Sequence, residues 1–122
     1  MLDKNVLLAK LEGALEHIAK VEEYVSKIRH HEEFYTHQNG ELIFDATMMR
    51  LQALGESLKQ IENKSPETFE KYSDIEWVKI IRFRDIISHH YEKLESEIIF
   101  DVCKNHLPLL KTSIAKIISD LN

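Results

Sequence analysis

Residues 7–28 read LLAKLEGALEHIAKVEEYVSKI, and their apolar positions indicate the fold class. Apolar side chains recur at alternating steps of four and three residues: Leu7, Leu11, Ala14, Ile18, Val21, Val25 and Ile28. This spacing draws one apolar stripe along a helix of about 25 residues. The stripe covers only about three heptads, which favours a seam inside a helical bundle over a free coiled coil.

Two further segments follow a polar run from His30 to Gly40, in which Asn39-Gly40 signals a turn. A second helix is predicted from about Leu42 to Ile61. Its interior Gly55 costs helix stability, and close packing against a neighbouring helix would explain it. Pro66 suits the opening of a short helix, Glu67 to Lys71.

The second half of the chain predicts two more long helices. Ser73 to Glu76 has the capping-box pattern and is expected to begin a third helix, which continues through Ile87. The last helix is predicted from about Glu97 toward Leu121, with Ser96 as a candidate N-cap. Pro108 lies inside it and predicts a kink or break near residues 104–108.

Composition supports one all-α domain over residues 1–122, an up-down antiparallel bundle of four long helices plus a short one. With 3 Gly and 2 Pro in 122 residues, the chain has little material for the tight turns of a β-fold. A single Cys excludes a disulfide framework and suggests a reducing compartment, so we expect a cytoplasmic protein. No apolar run approaches the roughly 20 residues that span a bilayer, and the N-terminus lacks a secretion signal.

The net charge of −5 argues against a general nucleic-acid coat, but one segment reverses the balance. From Lys79 to Lys93 there are four Lys or Arg residues against two acidic ones. Arginine clamps a phosphate through its planar fork of donors, and histidine moves protons near neutral pH. Arg84 and His89 therefore supply the minimum for metal-independent RNA cleavage, with no cofactor.

Helix geometry constrains this pair. Arg84 and His89 are five residues apart, which places them about 140° apart around an intact helix. Either the helix loosens near Ser88 or a second copy of the chain completes the site, and a two-fold dimer is the economical arrangement.

Structural roles compete with these assignments. Spacing alone favours a helix cap and interface role for His89, His90 and Tyr91. The polar cluster is better explained as a solvated helix end or loop than as a metal site; its members are His30, His31, Glu32, Glu33 and His37. Cys103 is expected to be a packed core thiol, and Trp77 and Phe83 are expected to lie in the core.

The motif itself resembles a known family. Residues 84–91, RDIISHHY, match the Arg-x4-His-x-Tyr motif of the HEPN superfamily and are most similar to its HepT-like ribonuclease toxins. Outside the motif, the resemblance includes Asp45-Ala46 through Arg50, Leu51 and Gly55-Glu56 in the second helix. It also includes residues 72–77 before the motif and 105–111 in the last helix, so that most of the chain from about residue 42 is covered.

The resemblance implies a homodimeric, metal-independent ribonuclease toxin with two motifs lining one cleft. It places Arg84 on the RNA phosphate, makes His89 the acid and base, and gives Asp85 a supporting role. It also implies a minimal nucleotidyltransferase antitoxin that transfers AMP to Tyr91, whose added charge would repel RNA. A function of a different class remains open: a non-catalytic helical module that binds a nucleotidyltransferase and its substrate.

Overall fold

The computed structural model describes residues 2–90 and 95–122, and only the backbone of residues 88–90. The helices are α1 (Lys4–Val25), α2 (Glu33–Thr36), α3 (Gly40–Lys64), α4 (Glu67–Glu70), α5 (Trp77–His90), α6 (Ser96–Asp101) and α7 (Leu107–Leu121); a π-helical turn, Val102–His106, joins the last two. No strand occurs in the described residues, which confirms the all-α fold class. None of the described helices is both long and apolar enough to cross a membrane.

The centre of the bundle is the antiparallel pair of α1 and α3. The predicted stripe of α1 is buried along its whole length, and Ile28, just beyond the helix end, is buried with it. Lys10 donates to Gln60 at 2.6 Å, and Arg50 lies 3.2 Å from His17, so the two helices run in opposite directions. Burial is the largest cause that lowers the pKa of His17, and the positive charge of Arg50 lowers it further. The apolar stripe of α1 therefore forms the predicted seam.

The polar run between these helices is more ordered than its sequence predicts. It contains the one-turn helix α2, and α3 begins at Gly40 rather than near Leu42. Phe34 explains the difference, because it is only 4% exposed and packs edge-on against Phe44 and Phe100. The ring centroids are 5.1 and 6.2 Å apart, respectively. This aromatic anchor packs an otherwise largely polar segment against the bundle.

The predicted capping box at Ser73 is wrong, because α5 begins four residues later at Trp77. The ring of Trp77 stacks on that of Phe69 with 4.1 Å between the ring centroids. Its indole N–H donates to the backbone carbonyl of Tyr72 at 2.9 Å. Tertiary packing of the indole thus sets the start of the helix, and Trp77 is a core residue as expected.

The loop before α5 is fastened to α7. The Tyr72 hydroxyl donates to Asp120 at 2.6 Å, and the Ser113 hydroxyl donates to Asp74 at 3.1 Å. The hydrogen bond to the Asp120 carboxylate stabilises the neutral phenol and raises the pKa of Tyr72 to about 12. These contacts fix the direction in which α5 leaves the loop.

The predicted break before Pro108 is confirmed as a π-helical turn. The N–H of Leu107 donates to the carbonyl of Val102, five residues earlier, and Pro108 then lies in the first turn of α7. The wider turn accommodates a residue that lacks an N–H. Ser96 is the first residue of α6 and Glu95 its N-cap, so the predicted N-cap is one residue too late.

The thiol inside the π-helical turn is a core residue. Cys103 is buried, and burial raises its pKa to about 12. The expectation of a packed core thiol is therefore confirmed.

Candidate functional site

The motif helix α5 is continuous from Trp77 to His90. Its backbone does not loosen at Ser88, so the first of the two alternatives for bringing Arg84 and His89 together is wrong. On a regular helix these two positions remain about 140° apart. The side chain of His89 and all of Tyr91 lie outside the described residues, whereas Arg84 and Asp85 are described in full.

Gly55 places the backbone of Arg84 directly against α3. A Cβ atom added to Gly55 would lie 2.9 Å from Arg84 Cγ and 3.5 Å from its Cα, and closer still to its Cβ. Because Cα and Cβ move only with the backbone of α5, no side-chain rotation would relieve this clash. The predicted reason for an interior glycine is thus confirmed, and the neighbour is the motif arginine itself.

Two carboxylates hold the guanidinium of Arg84. Nη1 donates to Asp85 Oδ1 at 2.9 Å, and Nη2 lies 2.8 Å from Glu56 Oε2 on α3. The contact with Glu56 has the distance of an ion pair but not the angles of a hydrogen bond. Lys59, one turn further along α3, lies 3.9 Å from the same oxygen of Asp85. Arg84 is therefore tied both to its own helix and to α3.

The side chain of Arg84 is half-buried. It is 25% exposed, and its Nε atom is buried without a hydrogen-bond acceptor among the described residues. An unpaired buried N–H costs about 1–3 kcal/mol, so this geometry does not maximise local hydrogen bonding. Nε therefore keeps a buried donor that no described side chain uses.

The local positive charge predicted for residues 79–93 is smaller in the folded chain. Lys79 pairs with Glu76 at 2.6 Å, and Arg84 pairs with Glu56. Both partners lie outside the segment, so a count along the sequence omits them. Arg82, on the same helix, is exposed.

An apolar cleft of about 500 Å³ lies between α3, α5 and the start of α7. Its walls are largely aliphatic and aromatic; the lining includes Leu54, Gly55, Ile80, Phe83, Leu109 and Leu110. An apolar lining does not suit a phosphate backbone. The polar face around Arg84 is therefore the candidate site rather than this cleft.

The histidine-rich run near α2 has structural contacts. Glu33 accepts the backbone N–H groups of Arg29 and His30 at 2.8 and 3.2 Å, and these bonds lower its pKa. His31 Nδ1 lies 3.2 Å from the Ser96 hydroxyl, and His37 Nδ1 accepts from the backbone of Asn39. In the part of the chain that the structure describes, no three His, Cys, Asp or Glu side chains are grouped closely enough to hold a metal.

Sequence reasoning did not assign roles to Glu56 and Lys59. Glu56 belongs to the second-helix resemblance, and Lys59 belongs to no motif in the sequence. Gly55 is the sequence signal for Glu56. A glycine at a close contact between two helices indicates that the residues next to it can touch the other helix.

Comparison with known proteins identifies the family. The family model described as Ribonuclease HepT-like matches residues 14–117, and the chain belongs to this family. The resemblance noted from the motif is thereby confirmed at the level of the family.

Two curated relatives come from Methanocaldococcus jannaschii. One, named "Gamma-glutamylcyclotransferase and putative RNase", is 32% identical over 92% of this chain and 47% of its own length. The other, named "Putative RNase", is 35% identical over 62% of this chain and 60% of its own length. This chain thus spans about half of the first relative and three fifths of the second. No solved structure matches the chain significantly.

Proposed function

We propose that the chain is a metal-independent endoribonuclease toxin with Arg84 and His89 as its reactive pair. The observation that carries the proposal is the placement of Arg84. The guanidinium is held between α3 and α5 with one buried, unpaired N–H, five residues before a histidine on the same continuous helix. Membership of the HepT-like ribonuclease family supports this assignment.

The proposed reaction is a transfer of the RNA phosphate to the neighbouring ribose oxygen. His89 takes the proton of the 2′-hydroxyl, and the freed oxygen forms a bond to phosphorus while the bond to the 5′-oxygen breaks. An imidazolium returns a proton to that leaving oxygen. Arg84 stabilises the negative charge that develops on the phosphoryl oxygens. The products are a 2′,3′-cyclic phosphate and a 5′-hydroxyl.

The unbroken helix supports a dimeric site. Since α5 does not loosen at Ser88, Arg84 and His89 of one chain diverge from each other. In a two-fold dimer, Arg84 of one copy and His89 of the other would face a common cleft, where one imidazole takes the proton and, as imidazolium, returns it to the leaving oxygen. A single domain over residues 1–122 is part of this proposal.

Cleavage of RNA by the purified chain tests the function. We expect total RNA to be fragmented in EDTA at a rate equal to that without it, because no step of the proposed reaction uses a metal. RNA that stays intact at stoichiometric protein concentrations would contradict the proposal and favour the non-catalytic partner module. Loss of cleavage in EDTA would contradict metal independence.

We further propose that a minimal nucleotidyltransferase neutralises the toxin by transferring AMP to Tyr91. Each AMP adds a phosphate charge next to the motif, where it would repel the RNA backbone. Expression of the chain alone is expected to slow growth, and co-expression with the nucleotidyltransferase is expected to restore it.

Mass spectrometry of the co-expressed protein tests this modification. The tryptic peptide that contains Tyr91 is expected to carry one or more AMP groups, and the variant Tyr91→Phe is expected to carry none. An unmodified Tyr91 in a protein that is nevertheless neutralised would contradict this mode of control.

A further inference from the structure

One of the contacts of Arg84 is with Glu56, which lies outside the motif. We propose that Glu56 is a positioning residue, which orients the guanidinium of Arg84 for binding the RNA phosphate. This inference rests on the proposed ribonuclease function and adds a second helix, α3, to the site.

Glu56 supplies the contact that fixes Arg84 relative to the bundle. Asp85 also binds the guanidinium, but it lies next to Arg84 on α5 and holds it only relative to that helix. The Nη2 contact with Glu56 at 2.8 Å crosses from α5 to α3. With Nη1 on Asp85 and Nη2 on Glu56, both terminal nitrogens have a carboxylate partner, and the plane of the fork is defined.

The close backbone packing at Gly55 fixes the distance between Glu56 on α3 and Arg84 on α5. Gly55 brings α3 and α5 together at the Cα and Cβ of Arg84, and Glu56 is the next residue on α3. The separation that the carboxylate must bridge is therefore set by backbone packing rather than by flexible side chains. Lys59 lies 3.9 Å from Asp85 and adds a second link between the same two helices.

A positioned arginine binds phosphate better than a mobile one. A free arginine side chain loses rotamer freedom when it clamps a ligand, whereas one that is already held loses less. Each terminal nitrogen carries two N–H groups, so one carboxylate contact on each leaves a donor for the phosphate. The opposite effect, competition between Glu56 and the phosphate for Arg84, would make removal of the carboxylate beneficial.

Steady-state cleavage of one synthetic RNA by matched variants separates these effects. Glu56→Gln removes the charge at nearly constant size, and we expect it to lower kcat/KM about tenfold, mainly through a higher KM. Glu62→Gln is the control, because it makes the same change on α3 at a carboxylate without an ion pair to any described residue. We expect its kcat/KM to equal that of the wild type.

An Arg84→Lys background shows whether Glu56 acts through Arg84. A lysine lacks the planar fork, so Glu56→Gln is expected to change kcat/KM less than twofold there. An equal loss in both backgrounds would overturn the proposal, since Glu56 would then act independently of Arg84. A Glu56→Gln variant as active as the wild type, or more active, would also overturn it.

A readout without RNA separates this inference from the proposed function. The Nε–Hε resonance of Arg84, assigned by its loss in Arg84→Lys, is expected to exchange slowly with water because Nε is buried. In Glu56→Gln we expect fast exchange, and in Glu62→Gln no change. An unchanged resonance in Glu56→Gln would overturn the positioning role, whereas a wild-type chain that leaves RNA intact would contradict the proposed function itself.

Discussion

Replacement of either Arg84 or His89 with alanine is expected to reduce RNA cleavage by about 10²–10⁴-fold, a range typical for loss of an acid–base group or of a charge-stabilising donor. Arg84→Ala removes the cation that α3 and α5 hold in place, and His89→Ala removes the proton carrier. Initial rates on a labelled RNA measure the effect. Expression of either variant without the partner is expected to leave growth unaffected.

Neighbours on the same helix provide matched controls. Arg82→Ala removes an exposed cation two residues from Arg84, and His90→Ala removes the adjacent imidazole, to which we assign no catalytic role. Both are expected to cut RNA within a few-fold of the wild-type rate, because Arg82 is exposed and its charge is screened by salt, and His90 occupies the variable position of the motif. Equal losses in Arg82→Ala and Arg84→Ala would show a general electrostatic effect and contradict a specific role for Arg84.

Mixing the two inactive variants tests the dimeric site. In a heterodimer of Arg84→Ala and His89→Ala chains, one composite site receives both intact residues and the other receives neither. Co-refolded mixtures are therefore expected to recover a substantial fraction of the wild-type activity. A mixture as inactive as its components would show that Arg84 and His89 act within one chain, against the geometry of an unbroken α5.

Gly55→Ala is expected to lower both stability and activity. The added methyl would overlap the Cβ of Arg84 and approach its Cγ to 2.9 Å, so α3 and α5 must move apart. Overpacking costs about 1–3 kcal/mol, and a clash with backbone-fixed atoms belongs at the upper end. The gain in helix propensity from Gly to Ala offsets about 1 kcal/mol. We expect a net loss of about 2 kcal/mol, measured as a lower urea midpoint at constant slope.

Gly13→Ala is the control for this substitution. Gly13 lies within α1, and a Cβ atom added there meets no other atom within 4 Å. Only the propensity term remains, so unfolding is expected to cost about 0.5–1 kcal/mol more than in the wild type. If both alanine variants shifted stability in the same direction, the close contact at Gly55 would not limit the packing of α3 and α5.

The helices were predictable because their signals are local. The stripe from Leu7 to Ile28 needs only its own spacing, and Pro108 disturbs the last helix wherever that helix packs. The starts of α2 and α5 were missed because distant aromatic contacts set them. Phe34 folds a polar run by packing on Phe44 and Phe100, and Trp77 overrides the capping pattern at Ser73 by stacking on Phe69.

The candidate site was predictable only in part, for a related reason. The motif places Arg84 and Asp85 on one helix, and spacing alone predicts that position 89 lies about 140° around the helix from Arg84. The partner of Arg84 on α3 depends on how the helices pack, and no spacing within α5 encodes it. Gly55 predicts close packing against a neighbouring helix, and only the folded chain shows that the neighbour is Arg84.

The ends of the RNA fragments produced in EDTA test the proposed reaction most directly. If His89 activates the 2′-hydroxyl and Arg84 stabilises the phosphate, the wild-type chain leaves 2′,3′-cyclic phosphate and 5′-hydroxyl ends, and neither alanine variant produces them above background. Fragments with 3′-hydroxyl and 5′-phosphate ends would show that water rather than the ribose attacks the phosphate. That result, or the absence of any fragments, would contradict the proposed role of the Arg84 and His89 pair.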